Sequence, residues 1–394
     1  HQIIMRTYDL LTLNNISDAG LDRLPKDTYN IRDEHQSPDA ILLRSFKMHD
    51  MEIPASLKAV GRAGAGVNNI PLDKMSEKGV AVFNAPGANA NAVKELVLGS
   101  LFMAARNLPD AVQYVNGLQG SDEELSKLVE AGKKKYAGYE VPGKTIGVIG
   151  LGAIGGMVAN ACVELGMQVL GFDPTLTVDG AWQLSTNVER VGSVQDMLPH
   201  VDFLTVHVPL LDATRDLINA DNINNMKATA VVINLARGGI VNDQAVCAAL
   251  KTQKLGGYVT DFPNNVTKAT PGVIGLPHLG ASTVEAEDNC AIMVAEQVKA
   301  YLEEGNIVNS VNFPNVSMPR RTPYRLVVCN ETVPNMVGQI STVLASASIN
   351  INDMINRSKG DLAYTIIDSD SMIPEEVVAK IKLLPGIKIA RVIQ

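Results

Sequence analysis

Residues Thr145–Asp173 read TIGVIGLGAIGGMVANACVELGMQVLGFD. Ile146, Val148 and Ile149 form a short apolar run that breaks into a turn containing Gly150, Gly152 and Gly155. Val158, Ala159, Cys162, Val163 and Leu165 follow at helical spacing, and a second run, Gln168–Phe172, ends in Asp173. The order is strand, tight turn, helix, strand, carboxylate, with the acid 18 residues beyond Gly155. Glycine-rich turns are common, so the flanking strand, helix and acid are what make this a dinucleotide site. Each glycine has its own reason. Gly150 permits the turn, Gly152 opens the backbone to a pyrophosphate, and Gly155 lets the helix pack on the sheet. The pyrophosphate would lie at the helix N-terminus, where unpaired N–H groups meet it. Asp173 can accept hydrogen bonds from a ribose diol and repels a 2′-phosphate, so NAD is expected over NADP.

Downstream the alternation continues, with strands expected at Asp202–Val208, Ala230–Leu235, Gly257–Asp261 and Val273–Leu276. With the two strands above, these make six parallel strands and a doubly wound sheet. Asp173, His207, Arg237, Asp261 and His278 each fall just past a strand's carboxyl end, so they are expected along one edge. Upstream, Gln2–Met5, Ala40–Arg44, Ala59–Arg62 and Val80–Phe83 read as strands of a smaller α/β domain. Its turns carry LLRSFK at 42–47, GRAGAGVNN at 61–69 and NAPGAN at 84–89. The glycine-rich turn offers N–H groups to an anion, and Arg44 offers a bidentate fork.

Helices are expected at about Ala92–Arg106 and Val284–Glu304, and a proline-bearing linker at 313–322. The last residues follow a β-α-β-β-α-β pattern: Tyr324–Cys329, helix Pro334–Ser346, Ile349–Ile355, Ala363–Asp368, helix Pro374–Lys382 and Ile387–Val392. That is a ferredoxin-like unit, expected to fold separately.

The 394 residues suffice for two or three domains. The formal charge of −8 argues against nucleic acid or an anionic membrane as the main partner. Four widely spaced cysteines without a C-x-x-C pair suit reduced core thiols and a cytoplasmic setting. No basic leader followed by an apolar stretch and no run of 18 apolar residues occurs, so neither export nor a membrane span is expected. No metal site is expected.

Hydride transfer at a carbonyl needs a cation on the substrate carboxylate and a group exchanging a proton near neutral pH. His278, in the tight turn PHLG, suits the second role. Arg237, between a buried strand and Gly238-Gly239, suits the first, because a buried guanidinium there needs an anionic partner. His207 fits a structural or adenine-side role better. Cofactor contacts are expected at Gly150, Gly152, Ala153, Ile154, Gly155, Asp173, His207, Val208, Pro209, Thr214, Ala236, Asp261 and Gly280.

Taken together, GRAGAGVNN, NAPGAN, GLGAIG, HVPL, NLARGGIV and PHLGAST resemble the D-isomer-specific 2-hydroxyacid dehydrogenases over nearly the whole chain. The resemblance implies α/β architecture with two doubly wound parallel-sheet domains: a flavodoxin-like substrate domain (1–92 and 288–312) and a Rossmann NAD domain (93–287). The final unit, 323–394, resembles an ACT regulatory domain. By resemblance Arg237 orients the substrate carboxylate and carbonyl, His278 is the acid/base, and Arg44, Ala65, Gly66 and Asn89 hold the substrate, with Arg44 toward a phosphate. The implied reaction is NAD-dependent oxidation of 3-phospho-D-glycerate to 3-phosphohydroxypyruvate, which opens L-serine synthesis. The alternatives are a reductase of an unphosphorylated 2-oxoacid (glyoxylate, hydroxypyruvate or pyruvate) and a non-catalytic dinucleotide sensor. An amino-acid effector is implied at Asn330, Thr332 and Asn350. A homodimer or homotetramer is implied because Ala92–Arg106 resembles the family's dimer-forming arm.

The sequence departs from the family at two places. Where the family carries a glutamate paired to the catalytic histidine, Thr260–Val266 reads TDFPNNV, with Asn264 or Asn265 near that place. The effector loop reads NETVPN at 330–335, retaining the proline but not the usual histidine, first asparagine or glycine.

Overall fold

The computed structural model describes residues 6–394. The strand expected at Gln2–Met5 lies outside them. Contacts divide the chain into two units, His1–Ala88 with Glu287–Gln394, and Asn89–Ala286.

In the first unit, β1 (Tyr8–Thr12), β2 (Tyr29–Arg32), β3 (Ala40–Leu43), β4 (Ala59–Arg62) and β5 (Ala81–Phe83) form a parallel sheet in the order β2-β1-β3-β4-β5. β3 is the apolar run AILL and is buried on both faces, as a central parallel strand must be. β1 and β2 escape a reading by sequence, since YDLLT and YNIR mix polar residues into short runs. The helix Val284–Glu304 covers one face, burying Ala291, Val294, Ala295, Val298, Tyr301 and Leu302 along one stripe.

The C-terminal residues form β13 (Tyr324–Glu331), β14 (Asp353–Lys359), β15 (Leu362–Ser369) and β16 (Ile387–Ile393), an antiparallel sheet ordered β14-β15-β13-β16. Helices Met336–Ser346 and Glu375–Lys382 close one face of this ferredoxin-like sheet over Leu326, Val328 and Ile367. The other face does not stand apart as expected. Val327, Cys329, Tyr364 and Ile366 share one core with Phe83, Tyr301 and Phe313 of the first sheet's layer. The reason is that β15 is buried along its whole length, so its second face has to be covered. The expected linker is therefore packed. Phe313, Val316 and Met318 are buried, and Val316 bridges to Ile307. Arg325, fully buried, ties these parts together. It pairs with Asp368 at 2.7 and 3.0 Å and donates to the carbonyls of Glu304 and Met318, each at 2.8 Å.

The second unit contains β6 (Thr145–Ile149), β7 (Gln168–Phe172), β8 (Val188–Arg190), β9 (Phe203–Val206), β10 (Val231–Asn234), β11 (Gly257–Thr260) and β12 (Val273–Gly275). They form a parallel sheet of order β12-β11-β10-β9-β6-β7-β8. The chain winds outward from β6 in both directions, so the switch point lies between β6 and β9, where such sheets bind ligands. β8 adds a seventh strand to the six expected; its three residues, VER, are too few and too exposed to read as one. Helix Ala90–Ala105 packs Val93, Val97 and Leu101 into the same core as Val158, Ala159 and Cys162 of helix Ala153–Glu164. Among the described residues no helix is long and apolar enough to cross a membrane.

Candidate active site

The sheet order of the second unit lays the expected residues along one edge. From one side to the other come the His278 loop after β12, Asp261 after β11, Arg237 after β10, His207 after β9, the glycine turn after β6 and Asp173 after β7. His278, Asp261, Arg237 and His207 thus lie on one side of the glycine turn and Asp173 on the other.

The glycine turn fits a dinucleotide for reasons visible at each position. Gly150 has φ +89°, and a Cβ there would run into the His207 carbonyl. A Cβ on Gly155 would collide with the Gly150 carbonyl. Gly152, by contrast, has nothing within 4 Å of where a Cβ would stand, so packing does not require it. It caps helix Ala153–Glu164 without any side-chain bond to the helix N–H groups. That leaves an open, electropositive helix start suited to a pyrophosphate, with Ala153 and Ile154 in its first turn.

Beside it opens a pocket of about 490 Å³ whose lining includes Gly152, Asp173, Thr175 and Asp179 and neither Lys nor Arg. Asp173 Oδ2 accepts from Leu151 N at 2.8 Å, and Oδ1 accepts from Thr175 N and Oγ1 at 2.9 and 2.8 Å. Burial pushes the Asp173 carboxyl upward, but these three donors outweigh it and hold it below the ordinary carboxylate range. It is ionised at neutral pH, and its preference for a ribose diol would fade only as acid protonates it. We expect Asp173→Asn to weaken NAD about 10- to 100-fold, the range for bonds to a charged group, while improving NADP relative to NAD. Equal kcat/KM ratios for the two cofactors before and after the change would remove Asp173 from that role.

His207 is half-buried, and desolvation pushes its pKa down to about 4, so the ring is neutral. Its Nε2 lies 2.8 Å from Thr205 Oγ1, so one ring nitrogen is engaged within the sheet. Thr214 Oγ1 donates to the Pro209 carbonyl at 2.6 Å and accepts from Leu211 N at 2.8 Å, holding the loop that follows Val208.

Arg237 is exposed, not buried as its place after an apolar strand suggested. Its guanidinium donates from Nη1 to the neighbouring Ala236 carbonyl at 2.8 Å. The loop is fixed from beneath instead, by a residue that reading the sequence missed. Asn234 is buried, donates through Nδ2 to the Arg237 carbonyl at 2.9 Å and accepts from Ala236 N at 3.2 Å. A lone asparagine ending an apolar strand is the signal that could have marked it.

His278 is also exposed, in the left-handed region at φ +54°, with its ring 5.0 Å from that of Phe262. Asp261 is buried and holds this loop by its carboxylate, accepting from Leu279 N and Gly280 N at 2.8 Å each. Its carbonyl accepts from His278 N at 3.1 Å. Asp261 and Gly280, expected at the cofactor, are thus engaged with each other. Asn264 does not replace the family's glutamate, because its side chain caps helix Asn265–Lys268 and donates to Asp243 at 2.8 Å.

In the first unit, Arg44 lies just past β3 and pairs with Glu287 at 3.0 Å. Ala65 accepts at its carbonyl from Asn84 Nδ2, and Gly66 from Arg62. Asn89 precedes helix Ala90–Ala105 without capping it through its side chain. The effector residues do not come together within one chain. Asn330 is buried and registers with Ala363, and Thr332 N donates to the Asp361 carbonyl, both at the start of β15. Asn350 accepts from Ser369 at its far end, about 20 Å away at ~3.4 Å per residue. Among the described residues no cluster of three or more His, Cys, Asp or Glu could hold a metal.

Comparison with known proteins decides the family. Residues 98–284 match the NAD binding domain of the D-isomer specific 2-hydroxyacid dehydrogenases. A D-3-phosphoglycerate dehydrogenase of Haemophilus influenzae is 32% identical over 355 residues, 87% of this chain and 83% of that protein. The chain belongs to the D-isomer specific 2-hydroxyacid dehydrogenase family. NAD is the dinucleotide of its second unit. A D-3-phosphoglycerate dehydrogenase of Methanocaldococcus jannaschii is 37% identical over 79% of the chain, which spans only 57% of that relative's length. The share is 54% for one from Synechocystis. Among solved structures, Rhodotorula graminis D-mandelate dehydrogenase shares the fold, with TM-score 0.66 at 22% identity over 80% of this chain and 100% of that one. An NAD+-bound 3-phosphoglycerate dehydrogenase of Entamoeba histolytica gives 0.60 at 20% identity over 78% and 99%.

Proposed function

We propose that the chain oxidises 3-phospho-D-glycerate to 3-phosphohydroxypyruvate with NAD, the opening reaction of L-serine synthesis. The observation that carries this is the single sheet edge bearing the glycine turn, Asp173, Arg237 and His278, in a family member similar to several D-3-phosphoglycerate dehydrogenases. Bound NAD supplies the hydride acceptor. Arg237, always charged, binds the substrate carboxylate and polarises the forming carbonyl. His278 takes the hydroxyl proton on a ring nitrogen and returns it in the reverse direction. Arg44 is the phosphate anchor, with Ala65 and Gly66 of the neighbouring turn and Asn89 as further substrate contacts.

One observation favours the reductase of an unphosphorylated 2-oxoacid: Arg44 already has a carboxylate partner in Glu287. NADH oxidation measured across phosphohydroxypyruvate, hydroxypyruvate, glyoxylate, pyruvate and 2-oxoglutarate separates the readings. The proposal requires the phosphorylated acid to have the highest kcat/KM. A sensor without catalysis would turn over none of them, and the presence of both Arg237 and His278 weighs against it.

The same reading makes the enzyme a homo-oligomer. Helix Leu108–Asn116 buries no residue and exposes Leu108, Val112 and Val115 in one stripe, with Phe102 and Leu128 also exposed. Sedimentation as a monomer at micromolar concentration would contradict it. An amino-acid effector at Asn330, Thr332 and Asn350 needs two copies, because one chain holds these residues at opposite ends of β15; titration with L-serine that gives no heat would remove it.

A further inference from the structure

The phosphate anchor comes with its own competitor. The backbone around Arg44 is fastened from several sides: Arg44 N and Phe46 N donate to Asn14 Oδ1 at 2.8 and 2.9 Å. The Arg44 carbonyl accepts from Arg62 Nε and Asn69 Nδ2, each at 2.9 Å. The guanidinium escapes this clamp. It donates from Nη2 to Glu287 Oε1 at 3.0 Å, and the two side chains are 42% and 50% exposed. Glu287 stands in the first turn of helix Val284–Glu304, where the helix start favours an acid without any arginine.

We propose that Glu287 is a specificity-determining residue, a displaceable counter-charge on Arg44 that any anionic group at the substrate's far end must replace and that a substrate with an uncharged end never meets. The inference rests on the function proposed above. An exposed pair held by one bond is worth at most about 1 kcal/mol, so an incoming anion can replace it. A 2-oxoacid with a distal carboxylate exchanges one carboxylate for another. A phosphoryl group, with about −1.5 to −2 charges and three acceptor oxygens, must displace Glu287 in the same way.

The test is steady-state reduction by wild type, Glu287→Gln, Arg44→Gln and the double variant. Phosphohydroxypyruvate, 2-oxoglutarate and hydroxypyruvate serve as the phosphoryl, carboxylate and uncharged probes. Glu287→Gln is expected to lower KM for the two charged probes about two- to fivefold, with the effect on KM and not on kcat, and to leave hydroxypyruvate unchanged. In the Arg44→Gln background the same substitution changes nothing. Equal shifts for all three probes, no shift, or a shift that survives loss of Arg44 overturns the inference. Inhibition of hydroxypyruvate reduction by inorganic phosphate reads the same ion pair whatever the preferred substrate. If phosphohydroxypyruvate is a poor substrate but phosphate inhibition still tightens in Glu287→Gln, the functional reading falls and the counter-charge stands. Unchanged phosphate inhibition beside a strong preference for phosphohydroxypyruvate means the reverse: the counter-charge falls and the functional reading stands.

Discussion

His278→Asn lowers kcat by about 10²- to 10⁴-fold while leaving NAD affinity near its original value, if His278 carries the substrate proton as proposed. Asparagine is the informative replacement because the backbone there is left-handed, a conformation Asn tolerates better than most residues. The loop should survive, since Asp261 holds it through the N–H groups of Leu279 and Gly280 and not through the imidazole. Binding and chemistry can be read separately. Trp182, the chain's single tryptophan, is 84% exposed on the helix Val178–Gln183, which also contributes to the lining of the Asp173 pocket. Its emission should report NADH binding by energy transfer, and rapid mixing then reports hydride transfer. A loss of less than tenfold with binding intact would mean that another group moves the proton.

The second large effect concerns stability. Arg325→Met is expected to destabilise the protein by about 3–5 kcal/mol, because it strands the buried Asp368 carboxylate. It also frees the carbonyls of Glu304 and Met318, which anchor the end of the long helix and the segment before β13. Replacing both partners, Arg325→Met with Asp368→Leu, should recover most of the loss, since an apolar pair leaves no unpaired charge. Urea midpoints of the two single variants and the double variant decide it. If the double variant falls by the sum of the singles, the two side chains are not coupled.

Much of the fold is legible in the sequence, and the exceptions share a cause. Strands buried on both faces, such as Thr145–Ile149 and Val231–Asn234, announce themselves by the apolar runs IGVI at 146–149 and VVI at 231–233. Edge strands do not. The strand expected at Ile349–Ile355 forms at Asp353–Lys359, where six of seven side chains are exposed, while Ile349 plugs the core before it. The packed linker is hidden by its prolines, although Phe313, Val316 and Met318 supply an apolar content that a free linker does not need. At the site, residue types and their places after strand ends can be read from the chain. What holds them cannot: Asn234 under Arg237, Asp261 under His278 and Asn14 under Arg44 act across 2 to 30 positions through hydrogen bonds that spacing does not reveal.

The decisive experiment on substrate preference compares kcat/KM for phosphohydroxypyruvate and hydroxypyruvate with NADH, in the wild type and in Arg44→Gln. The wild type is expected to prefer the phosphorylated acid clearly, and Arg44→Gln to lose most of that preference. Equal use of the two acids by the wild type, or a preference that Arg44→Gln leaves intact, would contradict that expectation.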